Sequence, residues 1–168
     1  MNIKFNEVQL SENAKGDLFL FVDADVHLQP ETLTAAVSLF GEKKLSMLSV
    51  FPSQIIESWG EWLVVPLMNW LLLSFLPLNL VHTSKKTSFI AANGQFILID
   101  KNVYSLIGTH KRVADRVVED MEMARAVKSE GLKIKTLLGG ELVRCRMYSS
   151  FTEAFNGFSK NFYPGFNT

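Results

Sequence analysis

The stretch that decides the fold is Leu18-Phe19-Leu20-Phe21-Val22, followed at once by Asp23-Ala24-Asp25. Five consecutive apolar residues between Asp17 and Asp23 predict a fully buried strand with a parallel neighbour. Open α/β sheets bind ligands beyond the carboxyl ends of their strands. Asp23 and Asp25, spaced i, i+2 on the loop there, can face one cation. Their hard oxygens suit Mg²⁺ or Mn²⁺, ions that keep waters and bind substrate phosphates as well. Such an ion would neutralise charge building on a leaving diphosphate. The plainer reading is turn chemistry, since aspartates end strands and start helices. His27 offers a further nitrogen ligand, although a partly exposed loop histidine is its simpler role.

Working outward, residues 5–15 have weak helical spacing. Beyond the aspartates a helix is expected from Pro30, which suits a first helical position, through Leu33, Ala36, Val37 and Phe40 to Gly41. Leu45 to Phe51 reads as a short strand stopped by Pro52. Ser88 to Ile99 reads as extended chain broken at Asn93-Gly94, and residues 101–107 as a short helix stopped by Gly108. Val117 to Glu130 has an amphipathic helical face of Val117, Met121, Ala124 and Val127. Lys133–Leu138 and Leu142–Met147 look like a hairpin across Gly139-Gly140. A last helix is expected over Phe151 to Phe162. Strands alternate with helices, which makes the class α/β with a mixed central sheet and flanking helices.

Trp62 to Val81 contains no charged residue. Its length meets the rough criterion of ~18 uncharged, mostly apolar residues for a membrane span. Pro66, Pro77, Asn69 and Asn79 count against a clean span, and Trp59, Trp62 and Trp70 suit a headgroup interface. An interfacial or re-entrant hairpin is therefore the first reading, with buried core helices or a true span as the others. The 168 residues are enough for one domain, and 48% apolar against 20% charged residues argues against disorder. With 17 basic and 17 acidic side chains there is no excess charge to hold a polyanion, so nucleic acid is not an expected partner. The single cysteine, Cys145, cannot form an internal disulfide, and Met1-Asn2-Ile3-Lys4 lacks the apolar run of a signal peptide.

Glu119-Asp120 opens the amphipathic helix. Acids there offset the positive end of the helix dipole, by roughly 0.3–1 kcal/mol each. The functional alternative is a general base at Asp120, supported by Glu119.

Taken together, these residues resemble family 2 glycosyltransferases with a GT-A fold. Leu18 to Val26 resembles the strand and Asp-x-Asp of that family. Ala92-Asn93-Gly94-Gln95-Phe96, Tyr104 with Ile107-Gly108-Thr109-His110, Val117-Val118-Glu119-Asp120, Ala124-Arg125 with Val127-Lys128, Arg146-Met147-Tyr148 and Gly157-Phe158-Ser159-Lys160-Asn161 follow in the family's order. The hopanoid- and carotenoid-associated branch is the most similar group.

The resemblance implies a partial GT-A fold, an apolar membrane-associated insertion at about 55–81, and roles for particular residues. Asp25 resembles the principal metal ligand and Asp23 a ligand or donor contact. Asp120 resembles the catalytic base. Asn93, Gly94 and Gln95 resemble the loop beside the acceptor, and Lys160 and Arg146 the contacts to the donor diphosphate. The implied reaction is metal-dependent, inverting transfer from a nucleotide-sugar donor to a lipid-like acceptor. It would take place at a membrane surface, with the site facing the cytoplasm. Two departures stand out. Thr109 replaces the second glycine of the family's Gly-Gly-His, a change expected to be tolerated. The family's first strand-helix-strand unit is not found, which reads as an N-terminal truncation. Two rivals remain at this stage. One is a phosphatase of the haloacid dehalogenase type, with Asp23 as nucleophile, although Val26-His27 stand where its Gly-Thr belongs. The other is an inactive, membrane-associated transferase remnant.

Overall fold

A computed structural model describes residues 9–57, 59, 62, 66, 70, 74, 78–110 and 118–146. Seven strands form two sheets. The larger contains β1 (Leu18–Val22), β3 (Met47–Phe51), β5 (Phe96–Asp100) and β6 (Ile134–Leu138), in the spatial order β1-β5-β3-β6. β5 is antiparallel to β1 and β3, and β3 is parallel to β6. The smaller sheet has the order β2-β7-β4, from β2 (Val26–Leu28), β7 (Val143–Cys145) and β4 (Ser53–Gln54). The expected α/β class, with mixed sheet and flanking helices, is what is observed.

Strand alternation distributes the core to both faces of the larger sheet. Phe19, Met47, Ile97, Ile99 and Ile134 point to one face. There they meet Val81 of α2 (Leu78–Thr83), Tyr104 of α3 (Lys101–Leu106) and Met123, Ala124 and Val127 of α4 (Glu119–Ser129). Leu48, Val50, Phe96 and Leu98 point to the other face, against Ala36 and Phe40 of α1 (Thr32–Lys43) and Val143 of the small sheet.

Several sequence expectations shift. β1 runs in the same direction as β3 and β6, but its ladder partner is antiparallel β5. It lies at a sheet edge among the described residues, with only Phe19 fully buried. The α1 helix does not close at Gly41. It continues to Lys43 and turns out through Lys44 in the left-handed region, φ 51°, where the N–H groups of Lys44 and Leu45 reach the carbonyls of Gly41 and Phe40. Thr32, Ala36 and Phe40 form its buried stripe, while Leu33 and Val37 are exposed. α4 starts at Glu119, and its expected first residue, Val117, lies outside the described residues, as does the expected helix over 151–162. The α3 helix is as expected, capped by Asp100, whose carboxylate accepts from the N–H groups of Asn102 and Val103. Thr109 has φ 59°, a left-handed backbone that glycine adopts more easily than a β-branched residue.

The expected hairpin of 133–138 with 142–147 does not form. β6 pairs with β3, whereas β7 leaves for the other sheet. The crossing occurs at Gly139, whose N–H donates to the Phe51 carbonyl at 2.8 Å while its carbonyl accepts from Leu142 and Val143. A Cβ there would sit 2.4 Å from the Val143 carbonyl oxygen and 3.2 Å from that of Phe51, which forces backbone to move. Gly139→Ala is expected to lower stability by about 1–3 kcal/mol, as overpacking does, read as a lower denaturant midpoint at unchanged slope. A midpoint equal to wild type would mean that this crossing is not tight.

Candidate functional site

Three chain segments cross from the larger sheet to the smaller one at the same end: β1 to β2 through Asp23-Ala24-Asp25, β3 to β4 through Pro52, and β6 to β7 through Gly139. The carboxyl ends of β1, β3 and β6 meet the start of β5 there. The Val26 N–H donates to the Asp23 carbonyl at 3.2 Å, closing a four-residue turn with Ala24 and Asp25 at its corners. The Asp23 N–H donates to the Gln95 carbonyl at 3.3 Å, which extends the β1-β5 ladder into the turn.

The loop before β5 is strongly tied down. Ser49, fully buried in β3, accepts from the Asn93 N–H at 2.8 Å and donates to the Asn93 carbonyl at 3.2 Å. Thr136 of β6 donates to the Ala91 carbonyl, and the buried Lys128 of α4 donates to the carbonyls of Val81 and Phe89. Burial away from water lowers the Lys128 pKa. Asn93 folds over its own turn, with Oδ1 accepting from the Gln95 N–H at 2.8 Å. The Gly94 N–H donates to Asp120 Oδ2 at 3.1 Å.

Asp120 thus sits in the first turn of α4 with its carboxylate directed at the 93–95 loop. Its pKa is raised, because burial disfavours the charged form more than the N–H donors of Met121 and Gly94 favour it. The pKa of Asp23 is also raised, first by partial burial of its carboxylate and then by the charge of Asp25. Asp25 Oδ2 accepts from the Cys145 thiol at 3.2 Å, and the Cys145 sulfur accepts from Gln95 Nε2 at 3.0 Å. Burial and the Asp25 carboxylate push the thiol pKa up to about 12, so Cys145 is an S–H donor at neutral pH.

The structure therefore brings together Asp23, Asp25, Asn93, Gly94, Gln95 and Asp120. Gln95 is buried, and its amide is engaged by Asn93 and Cys145, so its side chain faces inward. Arg146 pairs with Glu57 at 2.6 Å, which offsets its charge. Lys160 lies outside the described residues. His27 is an exposed strand residue opposite Arg144, and not a loop residue. Among the described residues no three His, Cys, Asp or Glu side chains form a group that could hold a metal ion. The donor set at the turn is two hard carboxylates that repel each other. That donor chemistry would suit Mg²⁺ or Mn²⁺, ions that take water and phosphate oxygens as ligands too.

A family model described as Glycosyl transferase family 21 matches residues 1–150. The chain belongs to glycosyl transferase family 21. It is a glycosyltransferase, which decides against the phosphatase reading of Asp23-Ala24-Asp25. The resemblance read from sequence named family 2, whereas the match is to family 21, so the activity class stands and the family is replaced. No curated protein matches the chain. Within this family 21 chain, sequence reading passed over Ser49 and Cys145. Ser49 had a signal, a lone hydroxyl inside Met47-Leu48-Ser49-Val50-Phe51, because a buried hydroxyl needs a partner. Cys145 had none, since its partners are 50 and 120 residues away.

The burial of Asp120 has a thermodynamic consequence. With a folded-state pKa above its unfolded value, its contribution to stability is fully present below the unfolded pKa and lost as pH rises through the folded one. Asp120→Asn keeps an oxygen acceptor for Gly94 without the charge. It is expected to melt at a higher temperature than wild type at pH 7, with the gap narrowing as pH falls and closed below about 4, the ordinary aspartate range. A gap that is absent or reversed at pH 7 would show that the carboxylate is not destabilising in the folded state.

Proposed function

We propose that the chain transfers a sugar from a nucleotide-diphosphate donor to a hydroxyl or carboxyl group of a lipid-like acceptor, with inversion. The supporting observation is that the single turn Asn93-Gly94-Gln95 meets both residues, the backbone N–H of Asp23 through the Gln95 carbonyl and the carboxylate of Asp120 through the Gly94 N–H. Asp23 and Asp25 would hold Mg²⁺ or Mn²⁺, which supplies charge neutralisation for the departing diphosphate. Asp120 takes the acceptor proton as the acceptor oxygen bonds to the anomeric carbon and the diphosphate leaves from the opposite side. Burial raises its proton affinity toward the working pH, where a general base is most effective. The Gly94 N–H fixes the carboxylate while leaving it room to accept a proton. Lys160, and Arg146 by exchange from Glu57, are the cations proposed for the diphosphate.

The lipid-like acceptor and the membrane surface rest on the tryptophans. Residues 59, 62, 66, 70 and 74 have helical backbone, and Trp59, Trp62 and Trp70 are 86%, 62% and 64% exposed. Exposed indole rings suit a headgroup layer, where one end of the ring is apolar and the other wet. The interface reading, on the cytoplasmic side, is the one proposed; among the described residues no helix is long and apolar enough to cross a membrane.

Two measurements test this. Asp120→Asn is expected to lower the turnover of labelled nucleotide-sugar onto lipid acceptors by at least about a hundredfold, and Asp25→Ala to abolish its dependence on Mg²⁺ or Mn²⁺. Metal-dependent transfer that survives in Asp25→Ala would sink the site assignment. Separately, replacing Trp59, Trp62 and Trp70 together by alanine is expected to reduce sedimentation with lipid vesicles. Unchanged partitioning would remove the membrane surface from the reading.

A further inference from the structure

The geometry points to Cys145 as a positioning residue for Asp25, an inference that rests on the metal reading of Asp23 and Asp25. A buried cysteine is ordinarily a small apolar filler. This one is fully buried, yet its sulfur is hydrogen-bonded on both sides. Gln95 Nε2 donates to it at 3.0 Å, and its thiol donates to Asp25 Oδ2 at 3.2 Å. Gln95 is itself oriented, because its Oε1 accepts from Asn93 Nδ2 at 3.3 Å. The donors therefore run in one direction, from Asn93 to Gln95 to Cys145 to Asp25.

The backbone makes the arrangement rigid. Cys145 is the last residue of β7, paired with Val26 of β2 on one side and Gln54 of β4 on the other. Its carbonyl accepts from the Ile55 N–H at 2.7 Å. Asp25, by contrast, is at the corner of a turn, where nothing in the backbone fixes its side-chain rotation. The thiol holds one carboxylate oxygen, and Oδ1 has no hydrogen-bond partner among the described residues. Outer contacts of this kind hold a ligand in place before the metal arrives, and their loss typically weakens metal binding about 10–100-fold. The same chain reaches the other carboxylate, since Gly94, between Asn93 and Gln95, donates to Asp120. Cys145 thus ties the metal-side carboxylate to the loop that also orients the base.

The test is Mn²⁺ binding to the full chain, followed by the electron paramagnetic resonance signal of the free ion. Thermal melts check that each variant is folded. Cys145→Ala is expected to weaken Mn²⁺ binding about tenfold, and Cys145→Ser, which keeps a donor, to restore most of the affinity. Cys145→Val, closer to the thiol in volume, replaces the alanine variant if that one does not fold, with the same weakening expected. The inference is overturned if the apolar variants bind Mn²⁺ as tightly as wild type, or if serine is no better than valine. Asp25→Ala separates the two levels of the argument. If it leaves Mn²⁺ binding intact, the metal reading has failed. If it abolishes binding while the apolar Cys145 variants bind normally, only the role of Cys145 has failed.

Discussion

Most of the architecture depends on the antiparallel pairing of β5 with both β1 and β3. Phe96, Ile97, Leu98 and Ile99 are buried on both faces, so β5 is the strand that both core layers share. Its direction decides where chemistry can occur. Because β5 opposes β1, β3 and β6, the turn that starts it lies at the end where those three finish. A polar turn there can reach a carboxylate at the end of β1 and another at the start of α4 without either residue leaving its element. Had β5 run the other way, Asn93 to Gln95 would lie at the far edge, beside Asp17 and Ser46.

The site edge is also where the chain leaves one sheet for the other, and such crossings expose backbone groups that need partners. At β1 the need is met by the Asp23–Val26 turn and the Gln95 carbonyl, and at β6 by the contacts of Gly139 with Phe51, Leu142 and Val143. Pro52 has no N–H to satisfy, which suits it to the β3 crossing. The loop at 89–95 is fastened by side chains, Ser49, Thr136 and Lys128, because no ladder covers it. Polar residues buried inside otherwise apolar strands are thus part of the support of the site.

What the sequence made legible was local. The apolar run before Asp23 formed a strand, though an edge strand with an antiparallel partner, the short helix after Asp100 formed, and Ala124 and Val127 of the expected α4 face are buried together with Met123. What it hid was pairing. Gly139-Gly140 between two apolar runs is a fair hairpin signal, but whether β7 folds back on β6 or goes to β2 depends on partners more than a hundred residues away. The same holds for β1. A continuous apolar run says that both faces are covered, as Phe19 and Leu20 are on opposite sides, but it carries no information about strand direction. Within the site, the carboxylates and the 93–95 loop were visible because their residue types are unusual in their places. The thiol between Gln95 and Asp25 was not, since only the fold puts β7 beside the turn.

The energetic character of the two carboxylate sites differs, and the difference matches what each is proposed to do. Asp120 is buried enough that ionisation opposes folding, and the donors around it recover only part of that cost. A carboxylate in that condition holds its proton tightly once it has one, which is the property of a base. Asp23 and Asp25 are held next to each other on a tight turn, with Asp23 made harder to ionise partly by its neighbour. Mutual repulsion that no cation of the described residues relieves is the condition in which a divalent ion gains most from binding. Under the proposed function a proton would offset the cost at the first site and a divalent ion the repulsion at the second. The β5 turn lies between them, bonded to the Asp23 backbone N–H by the Gln95 carbonyl and to the Asp120 carboxylate by the Gly94 N–H.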